Sequence, residues 1–467
     1  MIPMTLRDIS TVLSGQLVLN PESTEELVVA GPSDTDSRVI EQGGIFFAKP
    51  GEFTDGHNFV DQAVARGAAL VVVNRKVDVA VPQILVSDTV DALAALAKEV
   101  VARVRAQGHL KVVGITGSNG KTTTKNLVAT MCAQQGETIW PIASFNNEVG
   151  APLTMLKVTL ATRFLILELG ASGIGHIARL TALAPLDVAV VLMVGLAHAG
   201  EFGGIDNTVI AKSEIVQGLL PEGVAILNRD DHRVASMTTH APGRVVWFGR
   251  THGCDVQGID VESTLSGTHF DVSVFGETAT VRFRVIGEHH VMNALAALAV
   301  GHELGFPLAD CIAALESVTL AERWRMQVFS GRDITVINDA YNASPDSMAA
   351  ALKTLVHVTP PGSRRIAVLG AMAELGEYSG EEHDRIALLL VRLNIDLVIV
   401  VGNDARRLHV SSVNEGSWAG ESVFFETPEE AYDYLVADLR PRDVVLVKSS
   451  NSANLRFLGD RLGETYA

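Results

Sequence analysis

A glycine-rich segment that contains a lysine is the part of the chain best suited to phosphate chemistry. It reads Gly114-Ile-Thr-Gly-Ser-Asn-Gly-Lys-Thr-Thr123 and lies between a predicted apolar strand and a predicted helix that begins near Lys121. Glycines let backbone amides face phosphate oxygens, a helix N-terminus adds positive potential, and the lysine reaches the β- and γ-phosphates. Five residues separate Gly114 from Gly120, one more than in the common pattern, so this is a longer variant. We call segment 114–123 the phosphate loop and expect it to bind ATP, with Thr122 placed to ligate Mg²⁺. A glycine-rich turn without a ligand is the alternative.

Two ionisable side chains follow apolar runs that we predict to be strands of one sheet. Glu168 lies near the end of the run 164–169, and His198 comes shortly after the run 188–194. Open α/β sheets bind their ligands at the edge where parallel strands end, so both residues are candidates for the site of the phosphate loop. A carboxylate exposed at a strand end and a solvated loop histidine are the alternatives.

The predicted elements divide the chain into three α/β sections, which we expect to be domains. The first section, 1–108, mixes short strands (44–49 and 69–74) with helices, and ends in a polar turn. The second section, 109–326, alternates continuous apolar strands with helices, which is typical of a parallel sheet covered on both faces; an antiparallel piece is predicted near 264–285. The third section, 327–467, restarts the alternation and resembles a Rossmann-like domain. Its predicted strands are 334–338, 365–369, 396–401, 423–425 and 444–448.

Composition excludes several classes of function. The 467 residues carry a net charge of −17, so the basic field that a general nucleic-acid or anionic-membrane binder needs is missing. Three widely spaced cysteines predict neither a disulfide framework nor a zinc site. The chain starts without a signal-peptide pattern, and its longest apolar run is too short to span a bilayer. We therefore expect a cytoplasmic protein. We also expect it to act as a monomer, which does not follow from these observations.

The phosphate loop resembles the ATP loop of the Mur ligases, cytoplasmic enzymes that add amino acids to the UDP-muramic acid peptide of bacterial cell walls. Further blocks that occur in the order of that family are 146–154, 168–172, 211–215, 227–231 and 287–296. The blocks 338–348 and 370–376 resemble the members that use D-alanyl-D-alanine, and 33–38 with 55–59 resembles their UDP-sugar-binding domain. The resemblance implies an ATP- and Mg²⁺-dependent ligase that joins D-alanyl-D-alanine to UDP-N-acetylmuramoyl-tripeptide through an acyl phosphate. It also implies a central P-loop ATPase-like domain between the UDP-sugar-binding and Rossmann-like domains.

The same resemblance implies a catalytic set around the γ-phosphate. Its members are Lys121, Glu168, His198 and Lys212. Metal ions would be ligated by Thr122, Glu168 and His198, the histidine holding a second ion. In several Mur ligases the lysine that matches Lys212 is carbamylated, which converts a cation into a carboxylate; a surface helix lysine is the alternative.

Binding residues are implied in the same way. The nucleotide contacts are Gly117, Ser118, Asn119, Gly120, Lys121, Thr122, Thr123, Asn147, Asn293, Arg325 and Asp339. The candidate contacts of the uridine nucleotide are Ser37, Arg38 and His57, and those of the dipeptide are Asn342, Ser344 and Lys448. Taken alone, Asn293 fits a helix N-cap and Asp339 a strand-end carboxylate better than a nucleotide contact. After Lys448 the chain has Ser-Ser-Asn where the family has Gly-Ser-Arg.

Four other interpretations remain open. Two belong to the same superfamily, a tripeptide-forming ligase and a folylpolyglutamate synthase, and the block 338–348 argues against both. A nucleotide-driven switch or transport ATPase would normally carry an apolar strand ending in aspartate, whereas Glu168 occupies that place here. A catalytically inactive binding protein is supported only by the departure at 449–451.

Overall fold

The structure is a computed structural model that describes residues 1–51, 54–142, 145–196, 203–318, 323–415 and 420–466. The strands of these residues form four sheets, of two, nine, six and five strands. The α/β class predicted from the sequence is confirmed. None of the helices within the described ranges has both the length and the apolar character that crossing a bilayer requires.

The first section is built on the five-stranded sheet and the two-stranded one. Its elements are β1 (Met4–Thr5), α1 (Leu6–Val12), β2 (Gln16–Val18), β3 (Val28–Val29), β4 (Ser33–Asp34), β5 (Ile45–Phe47), α2 (Val60–Ala65), β6 (Leu70–Val73), β7 (Gln83–Leu85) and α3 (Thr89–Arg105). Strands β4 to β7 are parallel, and β2 adds to β7 in the antiparallel direction. Both strands predicted here are confirmed as β5 and β6.

The second section contains the nine-stranded sheet. Its elements are β8 (Lys111–Thr116), α4 (Lys121–Gln135), β9 (Thr138–Ile139), α5 (Gly150–Met155), β10 (Phe164–Glu168), α6 (His176–Thr181), β11 (Leu186–Val191), α7 (Ile205–Gln217), β12 (Leu219–Asn228), α8 (His232–Ser236), β13 (Arg244–Gly249), β14 (Val256–Thr264), β15 (Gly267–Val274), β16 (Glu277–Phe283), α9 (Glu288–Glu303) and α10 (Leu308–Ser317). The strand order is β16-β15-β14-β13-β12-β11-β8-β10-β9. The two hairpin pairings at the β16 end are antiparallel, as predicted, and the others are parallel.

Helices cover both faces of this sheet. One face packs on α4, α9 and α10, and the other on α5, α6 and α7. The apolar cluster on the second face extends into the first section, since it includes Leu93 and Val100 of α3 together with Val112 and Leu165 of the sheet. The first two sections therefore share a continuous apolar core, with α3 packed on α5.

The third section is a mainly parallel six-stranded sheet with helices on both faces. Its elements are β17 (Gln327–Gly331), β18 (Ile334–Asn338), α11 (Pro345–Val358), β19 (Arg365–Leu369), α12 (Ser379–Arg392), β20 (Leu397–Val401), α13 (Arg406–Asn414), β21 (Glu421–Phe425), α14 (Pro428–Asp438), β22 (Val444–Lys448) and α15 (Leu455–Tyr466). The order is β17-β18-β22-β19-β20-β21, and only the edge pair β17–β18 is antiparallel among these pairings. All five predicted strands are confirmed, and β17 is an addition that the sequence did not predict.

Candidate functional site

The phosphate loop connects β8 to α4, and its geometry depends on Gly120. This residue caps α4 with a left-handed φ of 84°, and a Cβ there would lie 2.3 Å from Oδ1 of Asn293, so only glycine fits. Lys121 begins the helix and donates from Nζ to the carbonyl of Gly117 at 2.8 Å. Burial lowers the pKa of Lys121, an effect that the charge of Glu168 opposes.

The first glycine of the sequence pattern has a different role. Gly114 lies inside β8, and a Cβ there would come within 2.6 Å of the Leu186 side chain, so it is required by packing rather than by phosphate. The turn of the loop therefore starts at Gly117. Ser118 holds that turn against the chain after β11, because its Oγ accepts from the amide of Gly195 at 2.8 Å.

Glu168 ends β10 beside the loop, where the register pairs it with the last residues of β8. It is 1% exposed, and its Oε1 accepts from Nδ2 of Asn146 at 3.0 Å. Its Oε2 is buried without a hydrogen-bond partner among the described residues. A buried carboxylate oxygen without a donor is unfavourable by a few kcal/mol, about 1–3 or more, unless a cation neutralises it. The atom is therefore suited to ligate a metal ion.

Of the other two predicted metal ligands, Thr122 and His198, the structure describes only Thr122. Thr122, buried on α4, accepts at Oγ1 from Nη2 of Arg325 at 3.3 Å. His198 falls outside the described residues. Within the described ranges no group of three or more His, Cys, Asp or Glu side chains is arranged to hold a metal. Mg²⁺ does not need such a group, because it commonly uses one or two carboxylates together with phosphate and water oxygens.

A cavity of about 260 Å³ lies between the phosphate loop, α9 and the third section. The predicted residues that line it are Ser118, Asn119, Gly120, Lys121, Thr122, Thr123, Glu168, Asn293, Arg325, Asp339, Asn342 and Lys448. Asn293 is inside α9 rather than at its N-cap, which is Gly287. The arrangement can hold a nucleotide with its phosphates at Lys121.

His289 and His290 also line this cavity, although we did not predict them. Burial lowers the pKa of His289 to about 4 and holds that of His290 well below its usual range. His290 faces Nδ2 of Asn293 with Nδ1 at 3.3 Å, whereas its buried Nε2 has no partner among the described residues. A neutral imidazole with one free nitrogen can form a hydrogen bond with a polar group at the edge of a ligand. Their position in the block 287–296 was the available signal.

The candidate dipeptide residues make hydrogen bonds to other groups of the protein. Lys448 is 2% exposed, and its Nζ donates to Oδ2 of Asp339 at 2.5 Å and to the carbonyl of Asn342 at 3.1 Å. Oδ1 of Asp339 accepts from the amide of Met326 at 3.0 Å. Ser344 caps α11. Lys448, Asp339 and Asn342 line the nucleotide cavity, whereas Ser344 does not.

A larger cavity of about 480 Å³ adjoins the first and shares Lys121 and Asn146 with it. Asn147 lines this cavity, and its Oδ1 accepts from the amide of Gly150 at 2.9 Å at the start of α5. Lys212 of α7 also lines it and is 3% exposed. Burial, helped by the charge of Lys121, lowers the pKa of Lys212 to about 7. Further lining residues that we did not predict are His176, Arg179 and Glu374.

The candidate uridine contacts of the first section line neither cavity. Ser37 is buried and donates from Oγ to Oε1 of Gln62 at 2.6 Å. His57 is buried between two partners, with Nδ1 2.7 Å from Oδ1 of Asp55 and Nε2 accepting from the Asn74 amide. The Arg38 guanidinium is 79% exposed and paired with Asp36.

Comparison with known proteins links this geometry to one family. Family models match residues 34–108 (Mur ligase family, catalytic domain), 115–301 (Mur ligase middle domain) and 324–451 (Mur ligase, glutamate ligase domain). The chain is 41% identical to the UDP-N-acetylmuramoyl-tripeptide–D-alanyl-D-alanine ligase of Mycobacterium tuberculosis H37Rv, over 99% of this chain and 98% of that protein. It is 32% identical to the ligase of the same name from Escherichia coli K12, over 97% of each chain.

Solved structures agree with these matches. MurF from Acinetobacter baumannii superimposes with a TM-score of 0.89 and 31% identity, covering 99% of each chain. MurF from Thermotoga maritima in complex with ADP has a TM-score of 0.82 and 28% identity, covering 93% of this chain and 97% of that one.

Proposed function

The chain belongs to the Mur ligase family, and we propose that it joins D-alanyl-D-alanine to UDP-N-acetylmuramoyl-tripeptide in the cytoplasm, with cleavage of ATP to ADP and phosphate. The relatives that match almost the full chain carry this name. The observation that carries the proposal is the buried Oε2 of Glu168, which has no partner among the described residues and lies beside Lys121, where the two cavities meet. A site of this kind can activate a carboxylate with a nucleotide.

The two cavities suggest where each reactant binds. ATP occupies the smaller cavity, with Asn293, Arg325 and Asp339 around the nucleoside and Lys121 at the γ-phosphate. The carboxylate of the tripeptide enters through the larger cavity, because that space opens on the same lysine. In the first section, Arg38 is the best placed candidate for the UDP diphosphate, since its guanidinium is exposed.

The reaction then takes two steps. A carboxylate oxygen attacks the γ-phosphorus, the bond to the β-γ bridging oxygen breaks, and an acyl phosphate and ADP form. The amine of D-alanyl-D-alanine adds to the acyl carbon, and the tetrahedral intermediate expels phosphate and loses a proton to give the amide. Lys121 stabilises the charge that develops on the γ-phosphate oxygens, and its bond to Gly117 fixes its direction beforehand.

Glu168 and Thr122 fit a Mg²⁺ ion, since one supplies a buried carboxylate oxygen and the other a hydroxyl one residue after the phosphate-binding lysine. Bound there, the ion would neutralise phosphate charge and orient the γ-phosphate. Asn146 keeps the Glu168 carboxylate turned toward the loop through its bond to Oε1. We retain His198 as the proposed ligand of a second ion on its sequence position alone.

The proposed ligase activity is tested directly by measuring whether phosphate release depends on the dipeptide. Purified protein with ATP, Mg²⁺ and UDP-N-acetylmuramoyl-tripeptide should release phosphate when D-alanyl-D-alanine is added, and a UDP-linked pentapeptide should be seen by mass spectrometry. Omitting either substrate should reduce release to background. Release that is indifferent to the dipeptide would show that D-alanyl-D-alanine is not the required acceptor, and no release at all would contradict a ligase.

Carbamylation of Lys212 is a second proposal for the same site. Carbon dioxide adds to a neutral amine with loss of a proton, and a lysine with a pKa near 7 is about half neutral at pH 7, whereas an ordinary lysine is almost fully charged. The product carboxylate would support cations next to Lys121. Because the neutral fraction falls as the pH drops below 7, carbamylation and activity should fall on the acid side.

Lys212→Ala should lower kcat by about 10–100-fold, the usual effect of losing a residue that supports a metal ligand sphere. Acetate or formate should restore part of that activity by replacing the lost carboxylate, and should not raise wild-type activity. ¹³C-bicarbonate should give a carbamate NMR signal in the wild type that Lys212→Ala lacks. No rescue together with no carbamate signal would show that Lys212 acts as an amine.

A further inference from the structure

The N-terminus of α11 is docked against the phosphate loop. Ser344 is the N-cap in a capping box with Ser347, and Pro345 occupies the first turn. The Ser344 hydroxyl also donates to Oδ1 of Asn119 at 3.1 Å, which connects the third section to the loop that binds phosphate. The start of α11 therefore contacts the second section as well as capping its own helix.

Asp346, at the second position of α11, makes a further contact across the same joint. Its Oδ2 accepts from the amide of Leu196 at 3.2 Å. The fit is close, because a Cβ on Gly195 would lie 2.0 Å from this oxygen. Gly195 in turn donates to Ser118 of the phosphate loop at 2.8 Å. The chain at 195–196 is thus held between the phosphate loop and α11.

The start of α14 shows that this contact is not needed to begin a helix. That helix has the same arrangement, with a Thr427 N-cap in a capping box, Pro428 and then Glu429. Glu429 is exposed, whereas the Asp346 carboxylate reaches the second section. An acidic residue in the first turn favours the helix through its dipole in both cases. Unlike Glu429, Asp346 therefore contacts the backbone at 195–196.

We propose that Asp346 is a positioning residue that couples docking of the third section to the arrangement of the phosphate loop. When the third section is docked, Asp346 accepts a hydrogen bond from Leu196 and so holds the chain at 195–196. That chain in turn bonds Ser118 of the phosphate loop through Gly195. Ser344 donates directly to Asn119 of the loop. When it is not docked, Leu196 and Asn119 lose their bonds to Asp346 and Ser344, and the Gly195–Ser118 bond is no longer held from the side of α11. Asp339 and Lys448 then leave the nucleotide cavity that they line. This inference rests on the proposed ligase activity.

Asp346→Ala should lower kcat by about 10–100-fold, the range expected for a hydrogen bond to a charged group. KM for ATP should rise, because part of the nucleotide cavity belongs to the third section, whereas KM for the UDP-tripeptide should stay within about twofold. A loss of folded protein alone would lower kcat and leave both KM values unchanged. Asp346→Asn keeps an acceptor oxygen and should lose less activity. Glu429→Gln is the matched control and should behave as the wild type.

The close fit at Gly195 gives a second test. Gly195→Ala should reduce kcat because its Cβ meets the Asp346 carboxylate, and Asp346→Ala removes the group that it meets. The double variant should therefore be no worse than Asp346→Ala alone. The inference is overturned if Asp346→Ala stays within about twofold of the wild type in both kcat and KM for ATP, or if the two losses multiply. If the wild type itself shows no dipeptide-dependent phosphate release, the proposed function fails instead.

Discussion

Glu168→Gln should reduce dipeptide-dependent phosphate release by about 100- to 1,000-fold, the range seen when one preorganised electrostatic contact to a transition state is removed. The glutamine has the same shape, and its oxygen can still accept from Asn146, so the loop geometry is retained. The buried position of Oε2 would receive an amide NH₂, which donates and cannot ligate a cation. Steady-state phosphate release over a Mg²⁺ titration measures the effect, and excess Mg²⁺ should not restore the rate.

Glu382→Gln is a suitable control for this variant. Glu382 is another buried glutamate, 6% exposed, and burial raises the pKa of its carboxyl. It pairs with Arg385 on α12 and does not line either of the two cavities. Its substitution can lower stability, because the residue is buried, but should leave the kcat of the folded protein within about twofold, because the side chain lines neither cavity. Equal losses in both variants would mean that Glu168 matters for folding and not for the phosphate step.

Long apolar strands are the part of the fold that the sequence predicts well. Runs such as 164–168 and 444–448 are buried on both faces, so every residue is apolar or nearly so and the pattern is unmistakable. β17 was missed because it is partly exposed and carries mixed polarity. β13 was also missed, although its residues after Arg244 are apolar or glycine. β17 also pairs antiparallel at a sheet edge, which strand–helix alternation does not indicate.

The residues of the site can likewise be divided into those that the sequence pattern predicts and those that it does not. Glu168 and the phosphate loop were found because they follow strands, and strand ends meet at one edge of a parallel sheet. Contacts between sections could not be found in this way. The bond of Asp346 to Leu196 joins residues 150 positions apart. The bond from the Asn74 amide to His57 likewise needs a strand end that only the folded first section brings near. The apolar core that the first two sections share at α3 could likewise not be predicted from the order of residues along the chain.

Lys121→Ala should also lower kcat by about 100- to 1,000-fold, because the cation at the γ-phosphate is lost from a partly buried site. The side chain is held by the Gly117 carbonyl in the apoprotein, so little reorganisation is needed when ATP binds. Burial lowers the pKa of this lysine, while the negative charge of Glu168 and of bound phosphates favours its charged form. We therefore expect it to act as a cation at neutral pH. Single-turnover phosphate release with ATP and UDP-tripeptide measures the step directly.

Lys121→Arg separates charge from geometry. Arginine restores the positive charge, but its planar head is longer and cannot occupy the position of Nζ, 2.8 Å from the Gly117 carbonyl, without displacing the loop. Activity should therefore remain at least about tenfold below the wild type, whereas Lys98→Ala on the exposed side of α3 should have no effect. Full activity in Lys121→Arg would show that only net charge is needed at this point. Full activity in Lys121→Ala would remove the phosphate loop from the mechanism, and with it the argument that the two cavities meet at the reacting phosphate.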